Sequence, residues 1–192
     1  MTPPAAASST LEAPRLAGLG LTLRPAHEAD PARVLAFERD NRTHFRTWVP
    51  DRGDAYFHLD AVAASLVNAC GWWDAGTDRL LLVYAGAEVV GRVNLVDIAE
   101  GRAELGYRVG HDHQGRGIAT AAVTDVLSLA PDWRIVEVRA HARVDNPGTA
   151  RVLERCGFTH VVRRRDALEF DGLTVDADAW MRAAISRTSP GT

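Results

Sequence analysis

A glycine-rich turn between a predicted strand and a predicted helix is the part of the chain best suited to chemistry. The strand is Ala103–Val109, the turn is Gly115-Arg116-Gly117, and the helix is Ile118–Ala130. Glycine lets a ligand approach the backbone closely, and the N–H groups and dipole at a helix N-terminus favour an anion. The turn therefore predicts a phosphate site, and Arg116 adds charge to it if its side chain faces the ligand rather than solvent.

Composition and spacing exclude several other sites. All 22 basic residues are arginines, so there is no P-loop lysine and no lysine to form a Schiff base. The dinucleotide-binding fingerprint needs a third glycine where Thr120 stands. No Gly-x-Ser-x-Gly elbow of a hydrolase is present. His111 and His113 have no further ligands at a recognisable spacing, so we predict no metal site.

Three segments resemble the GNAT acetyltransferase superfamily. Gln114, Gly117 and Ala119 match its pyrophosphate loop, Q/R-x-x-G-x-G/A. Arg143–Phe158 is similar to its second signature, V/p-x-N-x-x-S/A-x-x-x-L/Y-E-x-x-G-F, and lies at the expected distance downstream. Leu21–Asp30 resembles the opening strand and helix of the same superfamily.

Two more segments resemble one branch of that superfamily. Asn41–Trp48 and Glu104–Tyr107 are similar to the ribosomal-protein N-terminal alanine acetyltransferases, the Rim type. In all, the resemblance covers about residues 20–183. It implies an α/β fold whose mixed sheet has splayed fourth and fifth strands. It also implies an enzyme that moves an acetyl group directly from acetyl-CoA to a primary amine.

The resemblance further implies how acetyl-CoA is held. Pantetheine would enter the gap between the splayed strands and bond to the fourth, Ala103–Val109, as an added strand does. The pyrophosphate would lie on the N–H groups of Gly115–Thr120, and the asparagine at position 146 would contact pantetheine as well as cap its helix. The residues expected to bind the cofactor are Tyr107, Arg108, Val109, Gln114, Gly115, Arg116, Gly117, Ile118, Ala119, Thr120, Asn146 and Thr149.

Proton transfer needs its own groups, because a free α-amine has a pKa of about 8 and must lose a proton to react. Glu104 is the candidate base, and a salt-bridged strand carboxylate is the alternative interpretation. Rim-type relatives also use an acid on the strand after Phe158; here the nearest acids are Asp166 and Glu169, and the register decides which of them, if either, faces the cleft. A water chain is a further option. Thr149 takes the position of a serine thought to protonate the leaving sulfur, or bonds locally in the first helical turn.

The order of predicted elements, β-α-α-β-β-β-α-β-α-β-β, indicates an α/β fold with a mixed sheet. We expect one domain over residues 21–185, a flexible N-terminal tail over 1–20 and a C-terminal tail over 186–192. One helix is predicted to begin after Asp30 and another to run from Asp54 to Gly71.

Charge and cysteine content limit the partners. The net charge of −3 argues against a nucleic-acid partner. Arg163-Arg164-Arg165 ends a strand predicted over 158–163, where such a run is usually solvated, and CoA phosphate, an acidic acceptor or RNA are the alternatives. Cys70 and Cys156 do not make a disulfide framework, which favours a reduced, cytoplasmic setting. We predict no membrane span or signal peptide. The sequence leaves open whether the protein forms a homodimer.

The expected function is acetyl transfer to a protein N-terminal α-amine or to the amine of a small molecule. If Arg42 and Arg46 face the acceptor cleft, a carboxylate- or phosphate-bearing acceptor is favoured. The alternative is a non-catalytic acyl-CoA-binding or regulatory module on the same fold. Both would bind acetyl-CoA, so only turnover separates them.

Overall fold

The computed structural model describes residues 10–170 and 172–183, which form a seven-stranded mixed sheet with helices on both faces. The strands are β1 (Thr22–Pro25), β2 (Arg79–Ala85), β3 (Glu88–Ala99), β4 (Arg102–Val109), β5 (Glu137–Arg143), β6 (Thr159–Phe170) and β7 (Leu173–Ala183). The α-helices are α1 (Pro14–Ala17), α2 (Pro31–Asp40), α3 (Arg42–Arg46), α4 (Leu59–Ala75), α5 (Ile118–Leu129) and α6 (Pro147–Arg155).

The centre of the sheet contains a gap between two parallel strands. The strand order is β1-β2-β3-β4-β5-β7-β6, and β4 pairs with β5 in parallel. That pairing ends at Leu105 and Ala140, although β4 continues to Val109 and β5 to Arg143. The two strands therefore splay apart, which confirms the fold implied by the sequence. We call the space between Gly106–Val109 and His141–Arg143 the strand gap.

Helices cover both faces of β2, so its side chains are buried on both sides. Leu81 and Val83 belong to a core that includes α1, α5 and Leu153 of α6. Leu80 and Leu82 belong to a second core, built with α2, α3 and α4. Successive side chains of a strand point to opposite faces, which explains the continuous apolar run in this part of the sequence.

The helix at Pro31 begins as predicted, whereas the next one does not. The side chain of Asp30 accepts a hydrogen bond from the Ala32 N–H at 2.8 Å and caps α2. Asp54 starts only a short 3-10 turn, and α4 runs through Gly71 to Ala75, with Gly76 as its C-cap. A glycine costs a helix interior only about 1 kcal/mol, whereas at Gly76 the backbone turns left-handed, with φ of 79°.

The segment expected to be an N-terminal tail is partly folded. Residues 1–9 lie outside the described residues, but residues 10–20 contain α1. Leu16 is buried, and its N–H and that of Arg15 donate to the carboxylate of Asp125 at 2.9 and 3.2 Å. These two hydrogen bonds tie α1 to α5 and extend the folded domain in the N-terminal direction. The expected C-terminal tail, residues 186–192, also lies outside the described residues.

The β6 strand extends well beyond the predicted end at Arg163. It forms an edge of the sheet and pairs with β7 as far as Phe170. A bulge lies between Arg164 and Leu168, and within it Asp166 has a φ of 50°. The arginine run therefore lies in mid-strand, not at a strand end, and Arg163 is paired with Asp178 at 2.9 Å. In the part of the chain that the structure describes, no helix is long and apolar enough to cross a membrane.

Candidate functional site

The strand gap exposes one backbone edge of β4. Gly106–Val109 pair with β3 on one side, while the described pairing with β5 ends at Leu105. The edge that faces the gap therefore carries N–H and C=O groups that can bond to an extended ligand, as a free sheet edge does.

A glycine loop, defined here as Gln114–Thr120, lies just beyond the end of β4. Gly115 and Gly117 have left-handed backbones, with φ of 71° and 77°. A Cβ atom built on either would meet no other atom within 4 Å, so both border open space. Gly117 is the N-cap of α5, and no side chain caps that helix. The first N–H groups of α5 are thus available to an anion.

A cavity of about 340 Å³, the glycine-loop cavity, extends from this loop to the strand gap. Arg116, which was included among the cofactor-binding residues, does not line it and is exposed, as in the solvent-facing alternative. Six further residues line it that were not among those expected to bind the cofactor: His44, Trp48, His113, Gly148, Val152 and Arg155. The expected cofactor-binding residues that do line it are Tyr107, Arg108, Val109, Gln114, Gly115, Gly117, Ile118, Ala119, Thr120, Asn146 and Thr149.

The guanidinium of Arg108 pairs with a buried carboxylate on α2. It lies 2.6 Å from Glu38 Oε1, and Arg92 lies 3.6 Å from the same oxygen. Burial, the largest cause, lowers the pKa of Arg108 to about 10, so the group is charged at neutral pH. Removal of one partner from a buried ion pair leaves an unpaired buried charge and strongly destabilises the folded protein. The Arg108 side chain therefore fixes the splayed end of β4 against α2.

Residues of α6 occupy the place where the strand gap meets the glycine loop. Asn146 Oδ1 accepts a hydrogen bond from the Thr149 N–H at 3.0 Å, so Asn146 caps α6. The hydroxyl of Tyr107 donates to the Thr149 carbonyl at 3.4 Å. Burial raises the pKa of Tyr107 well above its ordinary value, so this hydroxyl keeps its proton.

A second cavity, of about 390 Å³, opens on the other side of the gap, and we call it the strand-gap cavity. Segment 48–50, β4, β5, α6 and the β6–β7 hairpin all contribute to its lining. It meets the glycine-loop cavity at four shared residues. These are Trp48, Tyr107, Asn146 and Thr149.

The structure separates the three candidate acids. Glu104 does not line the strand-gap cavity; its Oε1 lies 2.8 Å from Nδ1 of His141, which does. Glu169 also lines the cavity. Asp166 sits in the β6 bulge, where its carboxylate accepts a hydrogen bond from the Thr174 hydroxyl at 2.8 Å. Of the two acids left open by register, Glu169 is therefore the one that faces the cavity.

The side chain of Arg143 connects two walls of the strand-gap cavity, the β6–β7 hairpin and the segment at Thr47 and Trp48. Its guanidinium lies 4.2 Å from the ring centre of Phe170 and 5.7 Å from that of Trp48. It also donates to the Thr47 carbonyl at 3.3 Å and pairs with Asp145 at 2.7 Å. The hydrogen bond with Asp145 raises the pKa of Arg143, which keeps the cation charged.

Two arginines considered for the acceptor side do not line the strand-gap cavity. Arg42 binds Asp51 at 3.0 Å and Asp54 at 2.7 Å. Arg42 and Arg46 both line a much smaller pocket, of about 10 Å³, beside Arg108. The condition that favoured a carboxylate- or phosphate-bearing acceptor is thus not met.

His44 supports the glycine loop from α3. Its Nε2 lies 2.7 Å from Nε2 of Gln114, and burial together with His111 lowers the pKa of His44. The described residues contain no group of three or more His, Cys, Asp or Glu side chains that could hold a metal ion. Cys156 is buried, with its sulfur 3.6 Å from the Thr120 carbonyl.

Comparison with known proteins identifies the family. Residues 20–159 match the acetyltransferase (GNAT) domain family. Similar sequences include the probable N-acetyltransferase YjcK of Bacillus subtilis, 24% identical over 84% of this chain and 92% of that protein. The [ribosomal protein uS5]-alanine N-acetyltransferase of Escherichia coli is 24% identical over 79% of this chain and 81% of that protein.

Solved structures show the same fold. The ribosomal-protein-S5-alanine acetyltransferase of Vibrio fischeri superposes with a TM-score of 0.84 at 19% identity, covering 95% of this chain and 99% of that one. The microcin C7 self immunity acetyltransferase MccE, solved with acetyl-CoA and AMP, superposes with a TM-score of 0.77 at 20% identity, covering 85% and 92%. The splayed sheet, the glycine loop and the family match together show that the chain belongs to the GNAT family of acetyl-CoA-dependent N-acetyltransferases.

Proposed function

We propose that the two cavities hold the two substrates, acetyl-CoA in the glycine-loop cavity and an acceptor amine in the strand-gap cavity. The observation that carries this proposal is that the cavities lie on either side of one gap in the sheet and share Trp48, Tyr107, Asn146 and Thr149. Two ligands placed in this way meet at the shared residues, which is the proximity that a direct transfer needs.

Acetyl-CoA supplies the activated acetyl group, and the chain supplies the groups that hold it. The free edge of Gly106–Val109 would bond to the amides of pantetheine, as an added strand does. The N–H groups from Gly115 to Thr120 would receive the phosphates, since the glycines leave open space above them. Arg155 also lines the cavity and adds a positive charge that sequence reasoning did not anticipate.

Thr149 is the proposed donor to the leaving sulfur. It lines both cavities, and the bond from its N–H to Asn146 holds the first turn of α6 in place. Its hydroxyl can return a proton to the sulfur when the thioester bond breaks. A backbone N–H on the free edge of β4 is the proposed donor to the carbonyl oxygen, on which negative charge develops.

The proposed acceptor is the N-terminal α-amine of a protein. The strand-gap cavity has apolar walls from Trp48, Pro50 and Phe170, and it lies between segment 48–50 and the tip of the β6–β7 hairpin. An extended chain end fits between these two elements with its amine directed at the gap. The names of the Escherichia coli relative and the Vibrio fischeri structure, both alanine acetyltransferases of a ribosomal protein, support this acceptor class. Two free cysteines agree with a cytoplasmic enzyme.

The test is a screen with labelled acetyl-CoA. It covers peptides beginning with Ala or Ser, free amino acids, polyamines, aminoacyl nucleotides and aminoglycosides. We expect acetylation of a peptide, and no acetylation by a Gly117→Glu variant, whose side chain would occupy the phosphate site. Acetylation of small molecules alone would overturn the acceptor class. Binding of acetyl-CoA without turnover of any amine would support the non-catalytic module instead.

A further inference from the structure

The side chains of Glu104 and His141 meet at the point where β4 and β5 separate. Leu105 and Ala140 form the last paired positions and are buried. Neighbouring residues of a strand point to opposite faces. Glu104, just before that pair on β4, and His141, just after it on β5, therefore share the opposite face. The distance from Glu104 Oε1 to His141 Nδ1 is 2.8 Å.

This contact selects one tautomer of the imidazole. An ionised carboxylate can only accept a hydrogen bond, so the proton of a neutral ring lies on Nδ1 and Nε2 carries the lone pair. In the described part of the chain, the imidazole of His141 has no other hydrogen-bond partner. His141 lines the strand-gap cavity and Glu104 does not. The lone pair of Nε2 therefore belongs to a side chain that lines the cavity, whereas the carboxylate belongs to one that does not.

Among the titratable groups near the strand gap, the imidazole of His141 is the one best placed to accept a proton from the amine. On β5, Arg139 pairs with Glu137 at 2.7 Å and Arg143 with Asp145 at 2.7 Å. On the β6–β7 hairpin, Glu169 lines the same cavity and is the rival base. A base held by a third group is the usual arrangement for an activated proton acceptor. Glu104 supplies that group to His141, whereas the described residues show no ion pair or hydrogen bond for the carboxylate of Glu169, which is held only by its backbone pairing with β7.

We propose that His141 is the general base of the acetyl transfer and that Glu104 is its positioning residue. The inference rests on the proposed function and moves the base from Glu104 to the neighbouring strand. The amine nitrogen attacks the thioester carbonyl carbon, the C–N bond forms and the C–S bond breaks. The amine proton passes to His141 Nε2, and the leaving thiolate takes a proton from the Thr149 hydroxyl. His141 then releases its proton to solvent, from which Thr149 is reprotonated.

A double-mutant cycle tests whether Glu104 acts through His141. His141→Gln should lower kcat by roughly 10²–10⁴-fold, the usual contribution of a general base, with acetyl-CoA affinity unchanged. Glu104→Gln should lower kcat at least about 10-fold alone, but less than about 3-fold in the His141→Gln background, because groups that act as a unit are not additive. Arg139→Gln, on the same face of β5 but outside the cavity, is the control and should leave kcat unchanged.

Nitrogen-15 NMR of the imidazole supplies a readout that does not depend on turnover. The parent should show the Nδ1–H tautomer of His141, and Glu104→Gln should remove that preference. Mixed tautomers in the parent would overturn the pairing, even if His141→Gln fails to fold. Equal losses from Glu104→Gln in both backgrounds would return the base to Glu104, and a loss of 10²-fold confined to Glu169→Gln would assign it to Glu169. A parent that acetylates no amine would overturn the proposed function together with the base role, whatever the tautomer.

Discussion

Replacing Gly117 with alanine should separate cofactor binding from folding. Gly117 has φ of 77° and ψ of 0° at the start of α5. Gly76 has φ of 79° and ψ of 7° at the end of α4, away from both cavities. A Cβ atom at either position meets nothing within 4 Å. The two alanine variants therefore carry the same backbone strain, and only one of them places a methyl group over the glycine loop.

The expected changes in Tm and in acetyl-CoA affinity follow from the equal backbone strain of the two variants. A left-handed backbone costs an L-residue about 1–2 kcal/mol, so both variants should lower Tm by roughly 2–8 °C in a protein of this size. In Gly117→Ala, the methyl group also keeps a phosphate from the N–H groups. A hydrogen bond to a charged group contributes about 1.5–3 kcal/mol. Its loss should weaken acetyl-CoA binding roughly 10- to 100-fold.

Calorimetric titration with acetyl-CoA and a thermal scan, on the parent and both variants, measure the two effects. We expect equal falls in Tm and a fall in affinity for Gly117→Ala alone. Gly117→Ala binding as tightly as the parent would refute the placement of the phosphates. An equal loss of affinity in Gly76→Ala would show that strain, and not the methyl group, weakens binding.

Three further predictions follow from named contacts. Thr149→Ala should lower kcat with little change in acetyl-CoA affinity, while Thr149→Ser keeps most activity, because the proposed role of the hydroxyl is confined to the transition state; steady-state kinetics would contradict this if alanine matched the parent. Asp125→Ala should lower the free energy of unfolding by about 2 kcal/mol, because two N–H groups of α1 lose their acceptor; an unchanged Tm would count against it. The hydrogen bond from Arg163 is the largest cause holding the pKa of Asp178 at about 2, below its ordinary 3.8. The unfolded chain therefore binds this proton first as pH falls, and the contribution, about 1 kcal/mol for an exposed pair, disappears between pH 4 and pH 2. In urea titrations over that range Asp178→Asn should lose less stability than the parent, and equal losses would contradict the assignment.

Local signals were sufficient for most of the fold. The hairpin of β2 and β3 and the starts of α2 and α6 depend on apolar runs, caps and glycine turns that lie within a few residues of each other. The predicted end of α4 at Gly71 was wrong because a glycine is tolerated inside a helix. The packing of residues 10–20 was missed because its cause, the bonds of α1 to Asp125, spans more than a hundred residues of sequence.

The candidate site also has a part that was predicted from local sequence and a part that was not. The glycine loop and the Asn146–Thr149 segment are contiguous in sequence, so their type and spacing predicted where they lie. His141, the proposed base, was not predicted because its contact with Glu104 depends on the parallel register of β4 and β5. The choice between Asp166 and Glu169 depends on a bulge that shifts the side chains of β6. No residue pattern in the sequence predicts this bulge.

Hydrogen–deuterium exchange with and without acetyl-CoA tests most directly whether the strand gap holds the cofactor. Added acetyl-CoA should slow exchange at the free edge of Gly106–Val109 and at the N–H groups of Gly115–Thr120. The segments of α4 and β2, which line neither cavity, should exchange at unchanged rates. Protection that appears elsewhere, with these two segments exchanging as fast as before, would contradict the cofactor site and the proposed function that depends on it.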